Sequence, residues 1–371
     1  MSGTTGKDPS RVDAGTLQSF CTTVFEKLGV RPSDAAITSE ILVSADLRGV
    51  DSHGVARLPR YVHGLRDGVM LPVVDPQIVH ETPTTATVDA CDGLGQPAGH
   101  FGMELAIRKA QETGSGFVAV RNSNHYGIAG YYALMALPHD LIGFSLTNAD
   151  TLVVPTFGRK ALFGTNPISI AVPAGEERPY VLDMATSTVP RGKLEVYNRL
   201  GKEMPIGWAT DAEGNPTQDA GLALQGLASR DILGGLLPLG GAGELHSGHK
   251  GYGLALFVEI MCGVLAGSGF GEMVYPVGAE GKPLPSKIGH FFGAMRIDGF
   301  RPAAEFKADM DRLIRMIKTS PRAEGHERIF IHGEKEFEIA DERRRNGIPL
   351  HEKVVTNMRN IADELGVPWV M

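Results

Sequence analysis

The chain has 371 residues, of which 42% are hydrophobic and 21% are charged, and its formal net charge is -7 at pH 7. This composition is that of an ordinary globular protein, and the length allows two domains, or one large domain with an appendage. The negative charge argues against a nucleic acid or an anionic membrane surface as a partner, because both are bound through positive charge.

Cysteine usage and hydropathy favour a cytoplasmic location. The cysteines Cys21, Cys91 and Cys262 lie far apart and form no CxxC pair, which is typical of a reducing compartment and argues against a cysteine-based metal site. The N-terminus lacks an apolar signal segment, and the longest apolar run is too short to span a bilayer. We therefore expect a cytoplasmic protein with no membrane partner.

The first part of the chain is predicted to be helical. Apolar residues recur at helical spacing over residues 17–28, and Gly29 is a natural C-terminal stop. A second helix is predicted up to residue 47, with Ser33 or Asp34 as its N-cap. A third helix is expected to begin near Pro59.

The stretch between the second and third helices carries the residues best suited to catalysis. Ser52 beside His53 can fix an imidazole tautomer, so that the ring can deliver a proton. Arg57 offers a fork of donors that can grip a carboxylate. This pair suits chemistry at the carbon next to a carboxylate. The alternative is a chance Ser-His-Gly, followed by a solvated helix face that carries Arg57, Arg60 and Tyr61.

A glycine-rich loop then raises the question of a Rossmann fold. Strands are predicted at 78–81 and 85–89, and the sequence GLGQPA at 93–98 precedes a helix at 101–112 and a strand at 116–120. This order matches a dinucleotide-binding loop. However, the preceding strand is half polar, whereas a central parallel strand should be almost wholly apolar. The loop alone is therefore weak support for a Rossmann fold.

A polar cluster follows this strand and leads into another helix. Backbone N–H groups at such a helix start can bind phosphate. His125 lies at this position, either as a second acid/base group or as a satisfied helix cap.

The remaining chain mixes strands with helices and ends in helices. A helix is expected around residues 191–193, with Thr186 or Ser187 as its cap, and the loop at 201–219 is expected to cover a site. His246 and His249 have a spacing compatible with a metal but lack a third ligand, so we expect no metal. Lys250 could meet a phosphate or carboxylate, or simply be exposed. The other predicted elements are strands at 141–146, 168–172, 180–184, 291–297 and 329–331, a long helix that follows the segment 246–253 and ends at Gly267, and helices at 306–317, 336–345 and 354–365.

Taken together, these motifs resemble the type-2 malate/L-lactate dehydrogenase family. The matching segments follow one another in one order across nearly the whole chain, so their joint occurrence is more specific than any one of them. They are residues 51–61 (DSHGVARLPRY), 122–133 (NSNHYGIAGYYA), 164–167 (GTNP), 183–187 (DMATS), 191–193 (RGK), 205–211 (PIGWATD), 238–241 (PLGG), 249–253 (HKGYG) and 347–350 (GIPL).

The resemblance implies an α/β (α+β) fold with a nucleotide-binding domain that is not a Rossmann fold. Residues 76–304 would form this domain on a mixed β-sheet, and residues 1–75 with 305–371 would form a helical domain from both chain ends. Family members are homodimers or larger assemblies with clefts near the subunit interface. We therefore expect a homodimer.

The resemblance also assigns site residues. His53, oriented by Ser52, would give the proton to the carbonyl oxygen, and His125 is the second candidate because family members differ in which histidine is the acid. Arg57 would hold the substrate carboxylate, and Arg60 could receive a second one. The other substrate-side positions are Tyr61, Thr165, Arg191 and Gly192. The nucleotide-binding positions are His125, Tyr126, Gly127, Ile128, Ala129, Asp183, Met184, Ala185, His249, Lys250, His332, Gly333, Glu334 and Lys335.

Two residues depart from the family pattern. Pro190 precedes Arg191 where a small residue is usual, and His332 stands where a proline is usual before Gly-Glu. The first departure could shift the start of a helix, and the second makes the cofactor contact there less certain.

The implied function is an NAD(P)-dependent dehydrogenase that interconverts a 2-hydroxy acid and a 2-oxo acid. The first expectation is malate and oxaloacetate, or lactate and pyruvate, with NAD as cofactor and NADP as the alternative. Other family activities are reduction of pyrroline- or piperideine-2-carboxylate and ureidoglycolate or sulfolactate dehydrogenation. A non-catalytic nucleotide-binding protein is disfavoured because Ser52, His53, Arg57 and His125 are all retained.

Overall fold

The computed structural model describes residues 10–228 and 230–369, so both extreme ends of the predicted helical domain lie outside the described residues. The α-helices are α1 (Ala14–Lys27), α2 (Pro32–Leu47), α3 (Leu58–Arg66), α4 (Gly95–Thr113), α5 (Ala129–Leu134), α6 (Arg191–Arg199), α7 (Ala220–Gly226), α8 (Gly248–Glu259), α9 (Ala303–Lys318), α10 (Glu334–Asn346) and α11 (Glu352–Leu365). The strands are β1 (Ser10–Val12), β2 (Gln77–Glu81), β3 (Thr85–Asp89), β4 (Ser115–Ser123), β5 (Leu141–Thr147), β6 (Ile168–Val172), β7 (Tyr180–Met184), β8 (Ala209–Thr210), β9 (Pro216–Thr217), β10 (Gly235–Leu236), β11 (Ile288–Arg296) and β12 (Ile348–Leu350).

The central sheet has seven strands in the order β2-β3-β4-β11-β5-β6-β7. Strands β3 and β4 are parallel, and every other neighbouring pair in this sheet is antiparallel. A Rossmann sheet would be mostly parallel. The prediction of an α/β fold on a mixed, non-Rossmann sheet is therefore confirmed.

The GLGQPA loop joins the parallel pair through α4, but its glycine serves packing within the chain. A Cβ on Gly95 would overlap the carbonyl oxygens of Asn124 and His125. The side-chain amide of Asn124 also donates to the Gly93 carbonyl over 2.8 Å. The loop is thus filled by the backbone that follows β4, and it fixes the position of His125 instead of leaving room for a phosphate.

Helices from both chain ends share one hydrophobic core. Phe25 and Tyr61 from the N-terminal part pack there with Met358 and Ile361 from the C-terminal part. Strand β1 pairs with β12 in antiparallel register, which ties the two ends together. Helix α9 instead contacts the loop between β6 and β7, because the Asp311 carboxylate accepts backbone N–H groups there. The domain boundaries themselves stay a prediction.

Two local predictions were wrong. Helix α2 begins at Pro32, whose ring presets a helical φ, so Arg31 is the N-cap and Ser33 and Asp34 lie inside the first turn. Residues 329–331 form no strand. The N–H of Ile331 donates to the Glu334 carboxylate, and its carbonyl accepts from the Glu334 N–H, so neither group is free for a ladder.

The loop at 201–219 does not cover the cleft described below. It contributes β8 and β9 to a small sheet with β10, and its residue Met204 is buried with Leu194 and Leu236 in a separate core. This loop stabilises its own corner of the molecule, so the prediction of a lid was wrong. In the part of the chain that the structure describes, no helix combines the length and apolarity needed to cross a bilayer.

Candidate active site

A cleft of about 440 Å³ lies beside β7, at the edge of the seven-stranded sheet. Its walls come from the end of α2 and the turn after it, the start of α5, the ends of β6 and β7, and the start of α10. Many of the predicted site residues lie here: His53, Gly127, Ile128, Ala129, Thr165, Asp183, Met184, Ala185, His332, Gly333 and Lys335.

Two short 3-10 turns direct His53 into this cleft. They span Asp51–His53 and Val55–Arg57, with Gly54 between them. The Val55 N–H donates to the buried Asp46 carboxylate over 2.8 Å, and a Cβ on Gly54 would overlap that carboxylate. The turn therefore requires glycine at position 54 and an acceptor at position 46.

The predicted contact between Ser52 and His53 is present. The Ser52 hydroxyl lies 2.9 Å from Nδ1 of His53, and Arg57 Nε donates to the Ser52 carbonyl over 2.6 Å. Burial, followed by the positive charges of Arg57 and Arg60, lowers the pKa of His53 to about 4. The imidazole is therefore neutral near pH 7 in the free protein, and a change that raises this pKa makes it a better proton acceptor.

His125 is brought to His53 by the fold. The two rings stack with 5.6 Å between centroids and 25° between planes. The Gly127 N–H lies 3.4 Å from Nδ1 of His125, and the hydroxyl of buried Tyr61 lies 2.7 Å from the same nitrogen. Because Nδ1 accepts these bonds, the neutral ring carries its proton on Nε2, an assignment from the hydrogen-bond network.

The electrostatic surroundings keep His125 neutral as well. Its pKa lies well below the ordinary value, first through burial and then through the positive charge of Arg60 and the neighbouring ring of His53. Two neutral imidazoles therefore lie against each other beside arginine side chains. Such a pair can take up a proton once an anion offsets the nearby positive charge.

Arg57 and Arg60 have different surroundings. Arg57 is exposed, and its charge lowers the pKa of both His53 and His125. Arg60 donates to the hydroxyl of Tyr275, with its guanidinium carbon 5.1 Å from the centre of that ring. Tyr275, at φ 52°, belongs to none of the motifs in the sequence, so sequence reasoning missed it.

The start of α5 is occupied by a side chain of the protein. The Asp183 carboxylate accepts the Gly130 N–H over 2.7 Å. Burial raises the pKa of Asp183 to about 6, while this hydrogen bond and the charge of Arg48 act in the opposite direction. The Gly130 N–H is therefore not available to a phosphate. Arg48, which lines the cleft, was also missed in the sequence.

The cleft entrance at α10 depends on backbone contacts. Gly333 has φ 90°, and a Cβ there would lie 2.8 Å from the Cβ of Val181. The Val181 N–H donates to the His332 carbonyl over 3.0 Å. Because position 332 contributes its carbonyl here, histidine replaces the usual proline without loss of this contact.

Several predicted site residues lie elsewhere. Arg191 is exposed and bonds Glu195 over 3.0 Å, while nothing lies within 4 Å of a Cβ built on Gly192. Pro190, the residue before them, lines the cleft and is itself the N-cap of α6. Neither Thr186 nor Ser187 caps that helix.

The hydroxyls of those two residues bond inside the loop instead. Thr186 donates to the Asn166 carbonyl over 3.0 Å and Ser187 to the Val189 carbonyl over 3.0 Å. Both hydroxyls therefore fix the backbone that follows β7. The prediction of a cap was wrong because Pro190 starts α6 later than either residue can reach.

Two further predicted residues, Tyr126 and Glu334, have structural partners. Tyr126 is buried, with its hydroxyl 3.0 Å from Ser145 and its ring stacked on His290. The Glu334 carboxylate accepts the Ile331 N–H at the start of α10, and Lys318 lies 3.0 Å away. These side chains therefore hold the core and the helix start.

His249 and Lys250 lie exposed at the start of α8 and are not part of the cleft wall. Among residues 10–228 and 230–369, no group of three or more His, Cys, Asp or Glu side chains is arranged to hold a metal ion.

Comparisons with known proteins show the family to which this chain belongs. The sequence profile described as malate/L-lactate dehydrogenase matches residues 12–359. The chain is 47% identical over 357 residues to a malate dehydrogenase of Pyrococcus horikoshii, and the match covers 96% of each protein. It is 40% identical over 347 residues to an L-sulfolactate dehydrogenase of Methanocaldococcus jannaschii, covering 93% of this chain and 94% of that protein. A solved structure of malate dehydrogenase from Pyrococcus horikoshii OT3 has a TM-score of 0.88 at 44% identity, covering 100% of this chain and 99% of that chain.

Proposed function

The chain belongs to the malate/L-lactate dehydrogenase family, and we propose that it interconverts malate and oxaloacetate by exchanging a hydride with a nicotinamide dinucleotide. The observation that carries this proposal is the pair of stacked, neutral imidazoles of His53 and His125 beside Arg57. A proton acceptor next to a carboxylate-binding group is what oxidation of a 2-hydroxy acid requires.

In the proposed mechanism His53 is the acid/base group, because it lines the cleft and its Nδ1 is fixed by Ser52. Neutral His53 accepts the hydroxyl proton when the hydroxy acid is oxidised, and returns it to the carbonyl oxygen in the reverse direction. The substrate carboxylate, bound by Arg57, offsets the charge that lowers the pKa of His53 in the free protein. The nicotinamide ring, when bound, supplies or accepts the hydride.

His125 is proposed as the partner that positions His53. Its Nδ1 is engaged by Tyr61 and Gly127, so its ring is held in one orientation against the ring of His53. The assignment of the two histidines is supported by the cleft wall, which includes His53 but not His125.

The cleft fits a nicotinamide dinucleotide in size and chemistry. Its volume of about 440 Å³ is in the range of cofactor pockets. Its lining combines apolar side chains, such as Ile128 and Met184, with the cationic groups of Arg48 and Lys335, which suit a flat ring and negative phosphates respectively. We propose NAD as the cofactor and keep NADP as the alternative.

A sulfonated hydroxy acid is the second candidate substrate. The Methanocaldococcus jannaschii relative is named an L-sulfolactate dehydrogenase. Arg60 with the Tyr275 hydroxyl forms a donor pair near the histidines, since Arg60 lowers the pKa of both. This pair suits a second anionic group on the substrate, either a carboxylate as in oxaloacetate or a sulfonate.

We also propose that the enzyme is a homodimer formed through α8 and the turn after it. Large apolar side chains on this segment are 39% to 58% exposed: Leu254, Phe257, Ile260, Val264 and Leu265. Such a contiguous patch is typical of a protein interface. His249 and Lys250 lie at the start of the same helix, so we propose that they contact the cofactor bound to the second copy of the chain.

Sedimentation equilibrium tests the proposed dimer. The double variant Phe257→Glu with Val264→Glu should be monomeric, and a dimer that both substitutions leave unchanged would contradict the proposal.

A cytoplasmic location remains part of the proposal, supported by the unpaired cysteines Cys21, Cys91 and Cys262.

A panel assay tests the proposed function. Loss of reduced-nicotinamide absorbance is followed with oxaloacetate, pyruvate, 3-sulfopyruvate and pyrroline-2-carboxylate, each with NADH and NADPH. The proposal expects the highest kcat/KM with oxaloacetate. Higher values with 3-sulfopyruvate would favour the second candidate, and pyrroline-2-carboxylate as the best substrate would indicate a cyclic-imine reductase. Cofactor binding without oxidation across the panel would indicate a non-catalytic protein.

A further inference from the structure

Arg48, which precedes the turn that carries His53, is a buried cation at the wall of the cleft. It is the C-cap of α2, the residue is 9% exposed, and it lines the cleft together with residues of β7 and α10. Its guanidinium carbon lies 4.7 Å from the centre of the Phe337 ring. The aromatic ring covers one face of the guanidinium and leaves the N–H groups at its edge.

The guanidinium of Arg48 donates no hydrogen bond to any residue in the ranges 10–228 and 230–369. Arg343, which is similarly buried with a side chain 12% exposed, differs in this respect. It donates to the Asp46 carbonyl and to the Asp51 carboxylate. A buried charge without hydrogen-bond partners is strongly unfavourable unless a bound group completes it. Arg48 therefore has unused donors that face the cleft.

The surroundings of Arg48 are separate from the substrate-binding arginines. Burial lowers the pKa of Arg48, and the carboxylates of Asp183 and Glu336 raise it. Burial and then the charges of Arg57 and Arg60 lower the pKa of His53. Arg48 lines the same cleft as His53, and it lies close enough to Asp183 to lower the pKa of that carboxyl.

The start of α10 also forms part of the cleft wall. The helix has 13 residues and begins after Gly333 with no side-chain cap; its first turn carries Glu334 and Glu336 as well as Lys335, and both Lys335 and Glu336 line the cleft. Helix N-termini attract anions, and a guanidinium beside one supplies the directional donors that phosphate oxygens accept. The two features together suit a phosphate. The planar carboxylate of the substrate is bound by Arg57 in the proposed mechanism.

We propose that Arg48 binds a phosphate of the nicotinamide dinucleotide, together with the N-terminus of α10. This inference rests on the proposed function, because it assumes a dinucleotide in the cleft. The phosphate is either the pyrophosphate shared by both cofactors or the 2′-phosphate of NADP. In both cases the bound oxygens supply the acceptors that the chain does not provide to Arg48.

The test measures nucleotide binding without catalysis. Arg48→Met keeps an aliphatic stem beside Phe337 and removes the charge. Calorimetry with ADP-ribose, 2′-phospho-ADP-ribose and adenosine is run on the full chain. If Arg48 binds the pyrophosphate, Arg48→Met should weaken the binding of ADP-ribose at least about tenfold. If Arg48 binds the 2′-phosphate, the substitution should weaken only the binding of 2′-phospho-ADP-ribose. Adenosine binding should be unchanged.

Arg178→Gln is the matched control. Arg178 also lies beside the Phe337 ring, 5.5 Å from its centre, but it is exposed and pairs with Asp341 over 2.7 Å. Its substitution should leave all three affinities within twofold. The thermal midpoint of each ligand-free variant is measured as well, to show that the variant is folded.

Each other outcome overturns the inference. Equal affinities for wild type and Arg48→Met would do so, as would a variant that fails to fold, since Arg48 would then be structural. A wild-type protein that binds none of the nucleotides would overturn the proposed function as well, whereas binding that is indifferent to Arg48 would overturn this inference only.

Discussion

The imidazole rings of His53 and His125 lie stacked, 5.6 Å apart between centroids, although 72 positions separate them in the chain. Burial and the same arginines lower the pKa of both rings. The protein thus holds two neutral imidazoles together before any substrate binds. This state suits removal of a proton from a hydroxy acid, and the substrate's own negative charge makes the reverse step accessible.

Replacing Arg57 by glutamine should move the pH profile of hydroxy-acid oxidation. Burial and then Arg57 lower the pKa of His53 to about 4, so in the wild type kcat/KM for malate should fall only as pH drops toward that value. Without Arg57 the pKa of His53 rises, and the acid limb should shift to higher pH. Arg66→Gln is the control, since Arg66 pairs with Glu364 on the surface. Identical limbs in wild type and Arg57→Gln would contradict the assignment.

Replacing Tyr61 by phenylalanine should lower kcat more than cofactor affinity. The Tyr61 hydroxyl is 2.7 Å from Nδ1 of His125, and the side chain is fully buried. Its loss leaves only the 3.4 Å contact with the Gly127 N–H at Nδ1, and it should lower kcat about tenfold, with about 1 kcal/mol lost from the free energy of unfolding. Steady-state kinetics and urea denaturation measure the two effects. An unchanged kcat would show that the orientation of His125 does not matter to the reaction.

Gly54→Ala should disrupt the catalytic turn. The added methyl would overlap the Asp46 carboxylate, which is itself buried. We expect a loss of about 1 to 3 kcal/mol in the free energy of unfolding and a severe loss of activity. Gly253→Ala in α8, where a Cβ would have no neighbour within 4 Å, is the matched control for stability. If both variants are equally stable, the turn is not constrained as described.

Asp46 should make the protein less stable as pH rises. Burial is the main reason that the pKa of Asp46 is raised from 3.8 to about 7. Between these values the folded state holds a proton that the unfolded state has lost, so stability present below about pH 4 is lost as pH rises toward 7. Asp46→Asn removes this dependence. Urea denaturation at pH 4.5 and 8 should show a difference for the wild type that exceeds that of the variant by more than about 1 kcal/mol, and equal differences would contradict the prediction.

The sequence was most informative where chemistry is local in the chain. The contact of Ser52 with His53 and the positions of β3, β6 and β7 follow from neighbouring residues, and the structure has them where the pattern indicates. The helical patterns at both chain ends suggested a helical domain built from both termini, and the family resemblance added the mixed sheet, which periodicity alone does not specify. Only the tertiary fold brings Tyr61 to His125, because α3 and the segment after β4 meet in space and not in sequence.

Other site residues were out of reach for a physical reason. Arg48 lies within a helical pattern that gives no sign of a missing hydrogen-bond partner, and Tyr275 lies in a loop without a motif. Conversely, Arg191 and Lys250 match family motifs but lie outside the cleft of this chain. A motif identifies a residue type and its neighbours in sequence, whereas its direction depends on packing, and its role can depend on a second copy of the chain.

Single-turnover oxidation of NADH by oxaloacetate, compared between wild type and His53→Asn, tests the role of His53 most directly. His63→Asn, an exposed histidine on α3, is the control. We expect His53→Asn to slow the turnover by about a hundredfold or more with ADP-ribose affinity unchanged, and His63→Asn to match the wild type. A His53→Asn enzyme within about threefold of the wild-type rate would contradict the assignment of His53 as the group that exchanges the proton.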